Sequence, residues 1–153
     1  MTGTTGFTLA DARALAQERH VGQTDKQGRD YYEAHLVPIA ELLTPLGEEA
    51  AMVGVLHDIV EDTPTTLEEL RALGVREVVV RAVGSVTGRP DEPYDALIAR
   101  ACADPLGRQV KLADNTHNLL GIPDLAVTDL PTARRLVRKY VPARDRLLAA
   151  GPR

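Results

Sequence analysis

The chain has 153 residues, 44% of them hydrophobic and 26% charged, which is the size and balance of one globular domain with a core of its own. Aromatics make up only 3%, so the core must be built from Leu, Val, Ile and Ala, which suits packed helices better than a sheet. A net charge of −4 without a long Lys or Arg run argues against nucleic acid as a partner, the single Cys102 excludes an internal disulfide and a Cys-rich zinc site, and no apolar stretch approaches a membrane span or a signal peptide.

Taken in chain order, the pattern is helix after helix. Thr8 is placed to cap a helix over "LADARALAQERH", with Asp11 completing a capping box. The polar "VGQTDKQGRD" carries two glycines and reads as a loop. "YYEAHLVPIAELLTPLG" returns to helical period, with Leu36, Ile39, Ala40 and Leu43 on one face and Pro38 as a kink or restart. "EEAAMVGVLHDIV" is the most apolar segment and should be the central helix. A short helix, "TLEELRALG", is capped by Thr66 and stopped by Gly74. "VREVVVRAVGSVT" is rich in valine, yet its apolar positions recur at three and four, which predicts a helix. Further helices are expected in "PYDALIARACAD", with Pro93 in its first turn, in "PLGRQVKLADNTHNLLG", and in "PTARRLVRKYVPARDRLLAAG", with Pro142 as a bend. The reading is an all-α single domain, with a core over about 9–121 and a closing helix over about 131–149.

One stretch breaks the apolar logic. "VGVLHDIVEDTPTT" places His57, Asp58, Glu61 and Asp62 at the inner end of the central helix. On a continuous helix His57 and Glu61, and likewise Asp58 and Asp62, are i and i+4 neighbours. Carboxylates beside Val55, Leu56, Ile59 and Val60 are expensive to bury unless a cation sits among them or the helix end opens into a cleft. Other helices offer His35 in "YYEAH" and Asp114 in "VKLADNTHN". Two imidazoles and two carboxylates suit Mn²⁺, Fe²⁺, Co²⁺ or Zn²⁺ more than Ca²⁺. Each member alone has a plain reading: His35 as a core histidine, Asp114 as the partner of Lys111.

The order His35, then His57-Asp58, then Asp114 resembles the HD-domain metal-dependent phosphohydrolases. The surrounding "HVGQTDKQGRDYYEAH", "LHDIVEDTPTTLEEL", "VREVVVRAVGSVTGR" and "VKLADNTHNL" are similar to the hydrolase domain of RelA/SpoT-type stringent-response proteins and to the small stand-alone alarmone hydrolases. The resemblance implies an HD-domain helical bundle with one Mn²⁺ held by His35, His57, Asp58 and Asp114. It implies catalytic roles for Glu61 and Asp62, and substrate contacts for Asn118 and for Lys26 in the polar loop; Lys111, three residues before Asp114, is a further candidate for the substrate site. The implied reaction removes the 3′-pyrophosphate of guanosine tetra- or pentaphosphate through a Mn-activated water; a cytoplasmic place is expected from the lack of an apolar span or signal-peptide pattern.

The chain departs from that pattern in places. Asp25-Lys26 stands where those hydrolases carry Arg-Lys, and Leu36 where proline is usual after the first metal histidine. The interval "DEPYDALIARACADPLGRQ" differs in length, with Tyr94 and Arg100 open between lining the pocket and lying on the helix surface. Tyr32 reads as a packing residue, and His20 and His117 as surface or supporting residues. The metal set is untouched by these changes. The substrate stays open between a (p)ppGpp-like nucleotide and another nucleotide or phosphate ester. A nucleotide phosphomonoesterase and a module that senses a nucleotide without turnover are the alternatives. Homodimerisation through the terminal helix is left open.

Overall fold

Local capping starts the bundle. In the computed structural model, which describes residues 6–152, Thr8 Oγ1 accepts from Asp11 N and Asp11 Oδ2 accepts from Thr8 N, closing a capping box on α1 (Leu9–Arg19). The polar loop that follows holds an isolated bridge between Thr24 and Asp30, and there is no named strand among the described residues. One π-helical turn, Tyr32–Leu36, then runs directly into α2 (Val37–Leu43). Pro38 sits in the first turn of α2, where its missing N–H is least missed, so it marks the change from π to α geometry.

A 3₁₀ turn (Thr44–Leu46) and Gly47, whose φ of 113° only glycine adopts readily, reverse the chain into α3 (Glu48–Leu56). Every residue of α3 from Ala50 to Leu56 is buried, as a helix apolar on all sides must be. It packs against α1, α2, α6 and α8. The central helix is shorter than its apolar pattern predicts. It ends at Leu56, and a separate turn, α4 (Ile59–Asp62), follows across His57-Asp58. His57 Nδ1 donates to the Gly54 carbonyl, the acceptor a continuous helix would offer to Asp58 N, and Asp58 sits at φ −101°, ψ 1°. His57 and Glu61 therefore do not share a row on one helix.

Thr66 caps α5 (Leu67–Ala72), and Gly74, at φ 91°, stops it. The valine-rich segment is helix α6 (Glu77–Val86), with Val79, Val80, Ala82, Val83 and Val86 buried. Pro93 is the residue before α7 (Tyr94–Ala103) rather than part of its first turn. Asp104 caps α8 (Pro105–Leu120), which ends at Gly121. Next comes α9 (Ile122–Thr128), a short helix with proline in its first turn where no helix is expected from the sequence. The last helix, α10 (Leu130–Ala149), runs through Pro142. There the proline frees the carbonyl of Arg138 on the exposed side, where water can satisfy it. α10 covers α7, α8 and α9, so the expected all-α single domain is what forms.

Gly54 fixes how closely α3 approaches α2. A Cβ there would lie 2.7 Å from Leu43 Cδ1 and 3.2 Å from Ala40 Cα. Gly54→Val should destabilise the protein by about 1–3 kcal/mol through overpacking, lowering the thermal midpoint by several degrees. A melt unchanged from wild type would mean that the contact gives way freely.

Candidate functional site

Three helical segments bring their polar residues to one point. His35 leaves the π-helical turn, His57 and Asp58 occupy the break between α3 and α4, and Asp114 comes from the middle of α8. His35 Nε2 lies 3.4 Å from Asp58 Oδ2 and 3.2 Å from Asp114 Oδ1. His57 Nε2 lies 3.1 Å from Asp58 Oδ2 and 3.7 Å from Asp114 Oδ1. His35, His57 and Asp58 each place a ligand atom within 4.8 Å of the others, a grouping that could hold a metal ion. The break in the helix makes this convergence possible: it turns Asp58 towards the imidazoles while Glu61 and Asp62 remain on the cleft wall.

The donor atoms fit a cation. Because His57 Nδ1 is bonded to the Gly54 carbonyl, a neutral ring presents the lone pair of Nε2 to the cluster. That nitrogen is buried and has no hydrogen-bond partner, its 3.1 Å approach to Asp58 lacking the geometry of one. Ligand atoms about 2.1 Å from one ion and at right angles to each other are about 3.0 Å apart, close to the shorter separations here.

The carboxylates are oriented by neighbours. Tyr31 OH donates to Asp58 Oδ2 at 2.6 Å, Lys111 Nζ to Asp114 Oδ2 at 3.0 Å, and Asn118 Nδ2 to Asp114 Oδ1 at 3.1 Å. Both plain readings of Asp114 and Lys111 are thus true at once: the lysine pairs with the aspartate, and the aspartate still faces the imidazoles. Burial opposes ionisation of Asp114, yet Lys111 and the two imidazoles hold it well below the usual carboxylate range. Burial likewise opposes a charge on His57, and the Asp58 and Asp114 carboxylates outweigh it, raising that ring well above the ordinary histidine value.

A cleft of about 470 Å³ opens beside the cluster. Glu61 and Asp62 line it, and partial desolvation raises both carboxyls although solvent reaches them. Glu61 Oε1 accepts from Gly88 N, which ties α4 to the end of α6. Asp62 Oδ2 accepts from Gln23 Nε2, and Gln23 Oε1 meets His20 Nδ1 at 2.6 Å. Lys26, Lys111 and Asn118 border the same cleft, as does Lys139 of α10, 4.4 Å from the Tyr94 ring centroid.

Several expectations need correction. Arg100 does not line the cleft. It pairs with Glu92 at 2.8 Å and donates to the carbonyls of Gly84 and Thr87, clamping α7 to the end of α6. His20, left open between a surface and a supporting place, is buried and supports Asp62 through Gln23. Tyr32 is a core residue, as expected, and its neighbour Tyr31, passed over in the sequence, is the one that touches the cluster. Tyr31, Gln23 and Lys139 carry no motif signal of their own; the "YY" doublet could only have flagged one of two residues. Asp25 accepts from Gln27 N, Arg29 N and Arg29 Nε, so it folds the loop around itself.

Known proteins resemble the chain in sequence and in fold. No family model matches the chain. It is 32% identical, over 91% of its length, to a probable guanosine-3′,5′-bis(diphosphate) 3′-pyrophosphohydrolase from Synechocystis sp., of which it covers 20%. It is 31% identical, again over 91% of its length, to the bifunctional (p)ppGpp synthase/hydrolase SpoT of Escherichia coli, of which it covers 22%. The chain thus spans about a fifth of the length of these relatives. A solved structure described as a metazoan orthologue of SpoT that hydrolyses ppGpp superposes with a TM-score of 0.66 at 21% identity, covering 93% of this chain and 92% of that one.

Asp25→Ala should speed amide exchange at Gln27 and Arg29 by roughly tenfold or more, as the loss of a turn-capping carboxylate does, and leave the global melt nearly unchanged. Unaltered exchange at both amides would show that the loop holds its shape without Asp25. Over nearly all of its own length the chain is similar in sequence to one stretch of these guanosine-3′,5′-bis(diphosphate) 3′-pyrophosphohydrolases, and it shares the helical fold of the solved structure.

Proposed function

We propose that the chain is a metal-dependent phosphohydrolase that removes the 3′-pyrophosphate of a (p)ppGpp-like guanosine nucleotide. The observation that carries the reading is the meeting of His35, His57, Asp58 and Asp114, with a buried, unpartnered His57 nitrogen among them. The similarity to guanosine-3′,5′-bis(diphosphate) 3′-pyrophosphohydrolases supports the same reaction class.

His35, His57, Asp58 and Asp114 would hold the ion, and a mixed imidazole–carboxylate set suits Mn²⁺. Such an ion supplies Lewis acidity, lowering the pKa of water and polarising a phosphoryl oxygen. Tyr31 orients Asp58, and Lys111 with Asn118 orients Asp114. Water adds to phosphorus as the bond from phosphorus to the ribose 3′-oxygen breaks. Glu61 or Asp62 receives the proton of the water, and the 3′-oxygen leaves with a proton as the free hydroxyl. Lys26 and Lys139, bordering the cleft, offer positive charge to the substrate phosphates. A second reading, hydrolysis of a different nucleotide or phosphate ester, draws on Asp25, a carboxylate where the resemblance implies an arginine.

The deciding experiment supplies Mn²⁺ to metal-stripped protein with guanosine tetraphosphate, nucleoside monophosphates and other phosphate esters. Pyrophosphate released from the first is the expected product. Orthophosphate from the monophosphates alone would favour the second reading, and binding without product would make the chain a sensor. Asp58→Ala should weaken manganese binding by at least about 100-fold and abolish turnover, with helical circular dichroism retained. Normal hydrolysis by that variant would remove Asp58 from the ligand set. Glu61→Gln should keep the metal and lower kcat by about 10²–10⁴-fold, the usual worth of a positioned acid or base; an unaltered kcat would exclude Glu61 from proton transfer.

A further inference from the structure

The terminal helix leaves one row of apolar side chains uncovered. Leu130, Val137, Val141 and Leu148 are 45, 38, 43 and 52% exposed. They follow one another at intervals of seven, four and seven residues, so at 100° per residue they fall within about 40° of the helix circumference. The core side of α10, made by Ala133, Leu136, Ala143 and Leu147, lies about a quarter-turn away. An exposed leucine or valine by itself means little. A straight row along a helix of 20 residues is a surface that another apolar surface can cover.

The row also reads the same in both directions. Its midpoint is Lys139, with Val137 and Val141 two residues to either side and Leu130 and Leu148 nine. A two-fold axis crossing α10 there sets Leu130 opposite Leu148 of a second copy and Val137 opposite Val141. Self-matching of this kind is what an isologous interface requires. Two charges beside the row, Arg134 and Asp145, follow the same symmetry, while Arg138, one residue from the midpoint on that flank, comes near Arg138 of the other copy. Arg134 lies five residues before the midpoint and Asp145 six after it, both exposed and both on the same flank of the row. In the antiparallel pair each Arg134 meets Asp145 of the other copy, which makes two ion pairs. Arg144 and Arg146, on other faces, already engage Thr116 and Asp95 within the chain.

We propose that α10 is the contact of an antiparallel, two-fold symmetric homodimer, closed by the Leu130–Leu148 and Val137–Val141 contacts and flanked by Arg134–Asp145 pairs. Lys139, half a turn round the helix from the row, stays directed to the cleft it lines. Each copy thereby braces the helix that carries the cleft lysine of the other without covering either cleft. One helix pair of this length lies at the low end of stable interface sizes, so association depends on protein concentration.

Sedimentation velocity of the whole chain over a wide concentration range tests this. The wild type should pass from monomer to dimer. Val141→Lys, a change at an exposed position, should raise the dissociation constant at least about tenfold, with an unchanged thermal melt. Asp145→Arg should weaken the dimer by setting arginine against arginine, and adding Arg134→Asp should restore it. A wild type that stays monomeric throughout overturns the proposal and leaves the row to another protein or to a further segment of a longer chain. Dimers that are indifferent to Val141→Lys, or a double charge swap that does not recover, overturn it equally.

Discussion

Two imidazoles and two carboxylates buried against one another govern how the rest of the bundle is arranged. His35, His57 and Asp114 are each less than one-tenth exposed, and Asp58 is nearly so. None could be desolvated alone without a large penalty, and removing one leaves the others uncompensated. The helices that carry them therefore cannot shift independently. The π-helical turn at His35, the break at His57-Asp58 and the close approach of α3 to α2 at Gly54 are the local irregularities that bring side chains from separate segments to one point. Irregular turns of this kind are commonly found where helices serve a site.

Around the cluster the charges are sorted by distance from it. Groups in contact with its carboxylates are donors: Tyr31, Lys111 and Asn118. One step outward, Glu61 and Asp62 are anchored by Gly88 N and Gln23, which holds them on the cleft wall and away from the ligand cluster. Beyond these, Lys26 from the polar loop and Lys139 from α10 make the rim cationic. In the function proposed, a cation at the cluster, acids beside it and basic residues at the rim match the order of groups along a phosphate ester from its reacting phosphorus outward. α10 contributes to this rim from one side and presents its apolar row on another, so the packing of that helix bears on the cleft.

The helical architecture was legible because it rests on local rules. Thr8 with Asp11, Thr66 and Gly74 each start or stop a helix by chemistry contained within a few residues. The three-and-four spacing of the valines overrode their preference for strands. The cluster residues His35, His57, Asp58 and Asp114 were legible for a different reason: each stands in an apolar or motif-bearing segment where an ionisable group needs a partner. The short helix α9 was passed over because it has little apolar periodicity of its own and is held mainly by its packing on α10.

By itself the sequence determined which segments are helical, which faces are apolar and which four side chains have reason to meet. Tertiary structure alone decided that the central helix breaks at His57, that Tyr31 rather than Tyr32 reaches Asp58, and that Arg100 clamps two helices instead of facing the cleft. It also decided that Asp25 folds its own loop and that Lys139, distant in the chain, enters the site. The division follows from range. Caps and periodicities act over one or two turns, whereas the direction of a side chain at a helix break or in a loop depends on what the other helices place beside it.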